Sequence, residues 1–382
     1  MARELIEVLA GRRQAWIEVS LGALARNLAV LRSRVGPQRR LMAVLKADAY
    51  GHGAVGVARR LEHEGIDLLG VAIPEEGYEL REAGVSTPIV VLGAADPSQV
   101  QDMAHARLTP VAYSPALLDT ILEEEGRLGR PLPFHLKVDT GMGRLGLLPD
   151  EVPAALARIA ACRATGSVEG VFTHLSCTDD PADPHTSSQL KLFAEALDRV
   201  REAGISPAFV HAGNSGGLLH HPVSWFDTLR PGLALYGLSP SGGIPEGLTP
   251  ILSLKSRVVR LKRVPSGAPL GYGHAFVARR ASVIGTLAVG YADGLPRLLS
   301  GRGAVLIRGR RAPFAGRISM DLSMVDLTDV PGAQDGDEAV LIGRQSGASI
   351  TADEFAGWGA TIAHEVLARL GARVHRIYQE TL

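Results

Sequence analysis

The stretch AVLKADAYGHG, residues Ala43 to Gly53, ends an apolar run in a single lysine and then continues with glycine-rich sequence. A short apolar run is typical of a buried strand, and the glycines that follow are typical of a loop. Lys46 therefore stands where a predicted strand ends. A lone lysine in such a place is usually a solvated surface residue, so its meaning depends on the rest of the chain.

Apolar runs like this one recur through the first 235 residues, and segments with apolar residues at three- and four-residue spacing separate them. AVGVARRLEHEG and SSQLKLFAEALDRVREAG are two such helical segments. Eight alternations of strand and helix predict an α/β fold with a (β/α)8 barrel of the TIM type. The predicted strands are Leu41–Lys46, Leu68–Ile73, Ile89–Leu92, Leu108–Tyr113, Phe134–Val138, Val168–His174, Ala208–His211 and Thr228–Arg230.

The pattern changes near Gly247, where strand-like runs begin to follow one another through glycine-rich turns. This texture predicts a second, mostly antiparallel β domain over 248–382, after a barrel domain over 1–247. Only TADEFAGWGATIAHEVLARLG reads as helical there. Residues 1–20 contain the strand-like QAWIEVS, which could pair with either domain.

Composition argues against several classes of partner. Among 382 residues, 40 lysines and arginines balance 40 aspartates and glutamates, so no broad charge field favours nucleic acid or a membrane surface. Cys162 and Cys177 form no CxxC pair and no metal site is predicted. Charges at Arg3, Glu4 and Glu7 are unlike a secretory signal or a membrane anchor, so a cytoplasmic protein with a small neutral or zwitterionic substrate is expected.

In a (β/α)8 barrel the functional groups lie at the carboxyl ends of the strands, and a phosphate commonly binds after strands seven and eight. Lys46 ends the first predicted strand and His174 the sixth, while GNSGG, with Asn214 and Ser215, follows the seventh. RPGLALYG, which begins at Arg230, follows the eighth. A lysine at the same barrel end as a phosphate site suggests pyridoxal phosphate held as a Schiff base. Alone, each residue has an ordinary interpretation: a solvated lysine, a hydrogen-bonded histidine and a helix cap.

An ordered set of motifs along nearly the whole chain resembles the bacterial alanine racemases. VLKADAYGHG around Lys46 is similar to their pyridoxal-lysine signature. The other motifs are KVDTGMGRLG, THLSCTDD, GNS, RPGLALYG, LGYGHAF, VGYADG and GRISMD. The family consists of an N-terminal barrel and a C-terminal β domain, paired head-to-tail as a homodimer whose active sites are shared between subunits.

The resemblance implies a two-base racemisation of L- and D-alanine, which supplies D-alanine for peptidoglycan. Lys46 would hold the cofactor and act as the first base, and Tyr272, from the other subunit, as the second. Arg230 would donate to the pyridine nitrogen without protonating it, which suppresses transamination. The remaining cofactor residues implied are Tyr50, His174, Asn214, Ser215, Gly232, Leu233 and His364, the last in place of the family's usual tyrosine.

On the substrate side the resemblance implies roles for Arg144, Met320 and Tyr291. Lys137 corresponds to a lysine that is carbamylated in some members, although an ordinary ion pair with Asp139 would read the same. A serine or broad-specificity racemase of the same fold stays open as an alternative. So do a non-catalytic pyridoxal-phosphate carrier and a phosphate-binding barrel without pyridoxal.

Overall fold

The computed structural model describes residues 14–381, and their contacts divide them into two compact units. The barrel unit comprises Leu24–Ala49 and Ala54–Pro250. The β unit comprises 14–23, Tyr50–Gly53 and 251–381, so that strand β1 (Ala15–Ser20) belongs to it. The charged residues Arg3, Glu4 and Glu7 lie outside the described residues.

The barrel unit is built on a sheet whose strands are all parallel to their neighbours. Its strands are β2 (Arg40–Val44), β3 (Leu68–Val71), β4 (Ile89–Val91), β5 (Leu108–Thr109), β6 (Val111–Ala112), β7 (Phe134–Lys137), β8 (Val168–Phe172), β9 (Phe209–His211) and β10 (Thr228–Leu229).

The sheet closes on itself through a proline. Strands β5 and β6 are one stretch of chain interrupted at Pro110, because proline has no N–H to donate. β5 pairs with β4 and β6 pairs with β7, while the Pro110 carbonyl accepts from the His135 N–H at 3.0 Å. The predicted eight-stranded barrel is therefore confirmed, with strands slightly shorter than the apolar runs suggested.

The helices of this unit bury one face each. In Pro115–Leu128 the buried residues include Leu117, Leu118, Ile121 and Leu122, which lie on one side of a helix with 3.6 residues per turn. Burying each leucine contributes about 1.5–3 kcal/mol. The helices that involve this unit, apart from the turn after β2, are Leu21–Val35, Ala54–His63, Pro74–Glu82, Val100–His105, Pro115–Leu128, Val152–Ala161, His185–Glu202 and Ser215–His220. No helix within residues 14–381 has the length and apolarity needed to cross a bilayer.

The β unit is mostly antiparallel, as predicted. Strand β1, the QAWIEVS segment, lies between β11, to which it is antiparallel, and β20, to which it is parallel. The two helices are Ala352–Trp358 and Ala363–Ala368. The further strands are β11 (Leu252–Val264), β12 (Pro269–Leu270), β13 (Phe276–Val277), β14 (Ser282–Leu287), β15 (Ala304–Ile307), β16 (Arg310–Pro313), β17 (Ser323–Asp326), β18 (Glu338–Gln345), β19 (Ala348–Ile350) and β20 (His375–Gln379).

The helical segment Lys46–Gly51 after β2 is left-handed. Ala47, Asp48, Ala49 and Tyr50 all have φ between 52° and 54°, and Gly51 has φ 76°. L-residues in this conformation cost roughly 1–2 kcal/mol each, so the four non-glycine residues together cost about 4–8 kcal/mol. Tyr50 therefore follows Lys46 within a left-handed rather than a right-handed turn.

Local hydrogen bonds offset this cost. The Ala47 N–H donates to Glu76 Oε1 and the Ala54 N–H to Asp48 Oδ1, both at 2.7 Å. Within the β unit, the Arg376 guanidinium donates to the Gly51 carbonyl at 3.0 and 3.2 Å. The segment is therefore held at its start, middle and end.

We expect Gly51→Ala to destabilise the protein more than Gly36→Ala. Both glycines have positive φ, but a Cβ at Gly51 would lie 2.1 Å from the Leu367 carbonyl oxygen, whereas a Cβ at Gly36 meets nothing within 4 Å. Strain alone costs about 1 kcal/mol, and strain with a backbone clash about 3 kcal/mol or more. Urea unfolding midpoints measure the difference. Equal midpoints for the two variants would contradict the packing described for Gly51.

Candidate active site

Lys46 follows β2 directly, at the carboxyl end of the barrel. The end of β2 is fixed by three hydrogen bonds: Val44 N–H to Pro231 O, Leu45 N–H to Gly70 O, and the fully buried Tyr236 hydroxyl to Val44 O at 2.8 Å. The Lys46 side chain reaches solvent in the single chain, yet protein atoms crowd its amine. This partial desolvation, with the charge of Arg144, lowers the pKa of Lys46, while Glu76 opposes the shift.

Cationic side chains converge around this lysine. Lys137 ends β7 and is 7 % exposed, and burial with the charges of Arg230 and Arg144 lowers its pKa to about 8. Lys46 also acts on Lys137, so the four side chains share one electrostatic environment. We call Lys46, Lys137, Arg144 and Arg230 the cation cluster. Each of the two lysines is easier to deprotonate there than in water.

Arg230 is buried immediately after β10. Its NH1 group donates to His211 Nδ1 at 2.7 Å. Its NH2 group faces the Thr173 and Ala212 carbonyls at 2.9 and 3.0 Å and His174 Nδ1 at 3.2 Å. Burial lowers the pKa of Arg230 to about 9. A guanidinium has five N–H donors, so these bonds leave it able to donate to one more group.

His174 lies just beyond β8 and takes the neutral form. Burial is the main cause that holds its pKa well below the usual range, and Arg230 and Arg144 add to the effect. Because Arg230 only donates, His174 Nδ1 accepts and the proton sits on Nε2. The structure therefore brings together Lys46, His174, Arg230 and Arg144 from four different places in the sequence.

Ser215 and Asn214 begin the helix Ser215–His220. The Ser215 hydroxyl oxygen accepts from the Gly232 and Ala234 N–H groups at 2.9 and 3.2 Å, which ties this helix start to the segment after Arg230. Leu233 between them is 1 % exposed. Asn214 Oδ1 accepts from the Gly217 N–H at 2.9 Å and acts as the N-cap. The side-chain oxygen of Asn214 therefore acts as an ordinary helix cap.

The glycines of GNSGG make room for protein atoms. A Cβ at Gly216 would lie 2.5 Å from Thr178 Oγ1, and one at Gly217 would lie 2.8 Å from Ser224 Oγ. These side chains explain why positions 216 and 217 need glycine.

Two predicted cofactor residues meet in the β unit. The ring centroids of Tyr50 and His364 lie 6.0 Å apart with the planes tilted by 48°. Tyr50 is 8 % exposed, and burial raises its pKa to about 12. Its phenol therefore keeps its proton at neutral pH.

The predicted second base and two substrate residues are exposed in the β unit. Tyr272, between β12 and β13, is 70 % exposed, and Met320 and Tyr291 are 52 % and 42 % exposed. Backbone bonds from Tyr291 N–H to Ser319 O and from Ala292 N–H to Met320 O join the loops of Tyr291 and Met320. Large exposed side chains of this kind commonly mark a surface that contacts another molecule.

Sequence reasoning missed His135 and His211. Both are fully buried, and His211 contacts Arg230. The signal was present: both histidines stand in short apolar strands, FHLK and FVH, where a polar side chain needs a partner.

Comparison with known proteins gives a consistent result. Residues 19–240 match the family model "Alanine racemase, N-terminal domain", and residues 251–378 match "Alanine racemase, C-terminal domain". The alanine racemases of Sorangium cellulosum and Symbiobacterium thermophilum are 45 % and 46 % identical to this chain. These alignments cover 95 % and 97 % of it and 98 % of each relative.

Solved structures agree. The alanine racemase of Streptomyces lavendulae matches with a TM-score of 0.91 and 37 % identity, over 97 % of this chain and 98 % of that one. That of Bartonella henselae, solved with covalently bound pyridoxal phosphate, matches with a TM-score of 0.87 and 31 % identity, over 96 % and 99 %. With both halves matched and near-complete coverage, the chain belongs to the alanine racemase family of pyridoxal-phosphate-dependent isomerases.

Proposed function

We propose that this chain interconverts L- and D-alanine with two bases, Lys46 on one face of the substrate and the partner subunit's Tyr272 on the other. The observation that carries the proposal is the Lys46 amine at the barrel's carboxyl end, with its pKa lowered by crowding and by Arg144. Alanine racemisation with pyridoxal phosphate, which supplies D-alanine for peptidoglycan, is the reaction of the family.

The charged side chains of the barrel unit are suited to binding pyridoxal phosphate. Two carboxylates act on the cation cluster: Glu76 on Lys46 and Asp139 on Lys137. Both are engaged by backbone N–H groups, Glu76 by Ala47 and Ala72, and Asp139 by 141–143. An anionic phosphate would add negative charge where four cationic side chains act on one another. When bound, this cofactor draws electrons from an attached amino acid and makes its Cα proton acidic.

The protein's own groups then move and hold protons. Lys46 must be neutral to accept the Cα proton, and its lowered pKa increases the neutral fraction at a given pH. Lys46 is mostly neutral when the pH is above its pKa. Activity limited by Lys46 should therefore rise as the pH rises through that pKa. Arg230 would donate a hydrogen bond to the ring nitrogen while retaining its proton, and neutral His174 would lie beside it.

For the other predicted site residues the roles remain proposals from the resemblance. Ser215, Gly232 and Leu233 form one hydrogen-bonded segment that suits a phosphate grip. Asn214 would support that grip as the helix cap. Tyr50 and His364 of the β unit are proposed phosphate ligands. For Arg144 we propose contact with the substrate carboxylate, and for Met320 and Tyr291 a limit on side-chain size.

We propose that the active form is a homodimer in the cytoplasm. The Tyr272 side chain is 70 % exposed and therefore open to water in its own subunit. Placed in the partner subunit's site, Tyr272 would be shielded and aligned. The exposed Met320 and Tyr291 suit the same interface.

We expect Lys46→Ala to abolish alanine racemisation and the visible absorbance of the cofactor's Schiff base, because no other amine takes its place. Lys191→Ala, on the exposed face of His185–Glu202, is the matched control and should keep both. Absorbance spectra with a chirality assay on a panel of amino acids test the pair. Racemisation by the Lys46 variant would overturn the proposal. A preference of the parent protein for serine over alanine would contradict the assignment of alanine as the substrate.

Tyr272→Phe should keep the Schiff-base absorbance and lower the racemisation rate by about a hundredfold or more, the contribution typical of a general acid or base. Tyr78→Phe is the control, because the half-buried Tyr78 hydroxyl has no hydrogen-bond partner among the described residues. Rates in both directions are measured by circular dichroism. A phenylalanine variant with near-parent rates would remove Tyr272 from the mechanism.

Lys137 should form a carbamate with carbon dioxide. A neutral amine attacks the carbon, an N–C bond forms and one proton leaves, so the modification should increase as pH rises through the Lys137 pKa of about 8. The resulting negative charge would face Arg144. Carbon-13 NMR with labelled bicarbonate should show a carbamate resonance that Lys137→Arg removes and Lys191→Arg retains. A parent spectrum without this resonance would show that Lys137 stays an amine.

A further inference from the structure

Two buried histidines extend the hydrogen bonding of Arg230 into the barrel interior. Arg230 NH1 lies 2.7 Å from His211 Nδ1, and His211 Nε2 lies 2.9 Å from His135 Nδ1. His135 Nε2 in turn lies 3.6 Å from Glu169 Oε2. We call Arg230, His211, His135 and Glu169 the imidazole column. It runs from the carboxyl ends of the strands, where the reaction takes place, toward their amino ends.

The direction of every bond in the imidazole column follows from one fact: a guanidinium only donates. His211 Nδ1 must accept, so the His211 proton sits on Nε2 and is donated to His135 Nδ1. The His135 proton then sits on Nε2 and faces Glu169. Burial, with the charge of Arg230, holds the pKa of His211 well below its usual range and lowers that of His135, which keeps both rings neutral.

The barrel is shaped to hold these rings. A Cβ at Gly170 would lie 2.5 Å from His135 Nδ1, so only glycine leaves room for the imidazole. Phe172 stacks on His211 at 4.5 Å between centroids, and Phe209 stacks on His135 at 5.8 Å. The rings are therefore held in plane and cannot turn to other partners.

A bulge directs the carboxylate toward this pair. In the pairing of β7 with β8, Phe134 faces Val168 and His135 faces Gly170, so Glu169 is the extra residue. Bulges redirect the side chain at the irregularity. The Glu169 side chain is 33 % exposed whereas that of His135 is fully buried, so the column links the interior to solvent.

Filling space does not explain this arrangement. Elsewhere the barrel interior holds Met42, Leu68, Val90, Val111 and Phe172. Apolar side chains at 135 and 211 would avoid the cost of burying two imidazoles. The His135 Nε2 atom has no hydrogen-bond partner within the described residues. The Glu169 carboxylate, at 3.6 Å, lies just beyond hydrogen-bond distance.

We propose that Glu169, His135 and His211 are positioning residues that set how strongly Arg230 donates to the cofactor ring. Glu169 polarises His135, which polarises His211, and a stronger acceptor at His211 makes Arg230 a weaker donor on its other side. Besides Glu169 and Arg230, the charge of Asp227, beside β10, acts on His135. The catalytic part of this inference rests on the proposed function, because it requires Arg230 to face the ring.

The column itself is tested by nitrogen-15 NMR of histidine-labelled holoenzyme. His135 and His211 should both carry the proton on Nε2. The His211 resonances should shift as Glu169 titrates, and Glu169→Gln should abolish that shift. Glu195→Gln, an exposed carboxylate on His185–Glu202, should leave it intact. A proton on Nδ1 of either ring, or His211 resonances indifferent to Glu169→Gln, would overturn the proposal.

Kinetics test the effect on the reaction. Because loss of the Glu169 charge would make Arg230 a stronger donor to the ring, Glu169→Gln should change kcat by about fivefold, with KM for alanine changed by less than about twofold. Glu169→Asp keeps the charge at a longer distance and should fall between Glu and Gln. If the column required only a polar side chain at position 169, the Glu169→Gln variant would have the same kcat as the parent.

The outcomes separate the two proposals. NMR coupling together with the Glu, Asp, Gln order in kcat supports the positioning role, and coupling without a change in kcat overturns it. A parent protein that does not racemise alanine overturns the proposed function, while the NMR result on the column stands by itself.

Discussion

Desolvation and repulsion among the cations at the carboxyl end of the barrel are the constraint on which the site depends. Crowding by protein atoms lowers the pKa of Lys46 and of Lys137, and the charges of neighbouring cations, Arg144 among them, add to the effect. Glu76 and Asp139 oppose these shifts only in part, and both also accept from backbone N–H groups. The arrangement is costly alone and favourable once an anion enters, so affinity for a phosphate and reactivity of a lysine have one origin.

The fold was predictable because each level of the sequence agreed with the next. Runs such as LLGV and FHLK alternate with helices whose apolar residues share one face, and eight such repeats favour a closed barrel over an open sheet. The left-handed turn was not predictable. Ala47, Ala49 and Tyr50 have no preference for positive φ, and their conformation depends on Glu76 and Arg376, which are distant in sequence.

The candidate site was partly predictable for a related reason. The rule that barrel chemistry lies at strand ends selects Lys46, His174 and Arg230 without reference to any partner. It does not select His135 or His211, whose roles depend on which ring atoms meet across three strands and on a bulge that a sequence does not reveal. Tyr272 marks a different limit. Its own subunit leaves it exposed, so the role proposed for it requires a second subunit.

The backbone that carries Lys46 has a stereochemical consequence. Positive φ is the region that mirror-image residues prefer, since exchanging the hydrogen and the Cβ at the α-carbon removes the clash that L-residues suffer there. Ala47 is exposed and has φ 53°, so its side chain has space in either configuration. A semisynthetic chain with D-alanine at position 47 would fold with less strain than the natural one. The position next to Lys46 would therefore accept a D-residue with less strain than the L-residue that it holds.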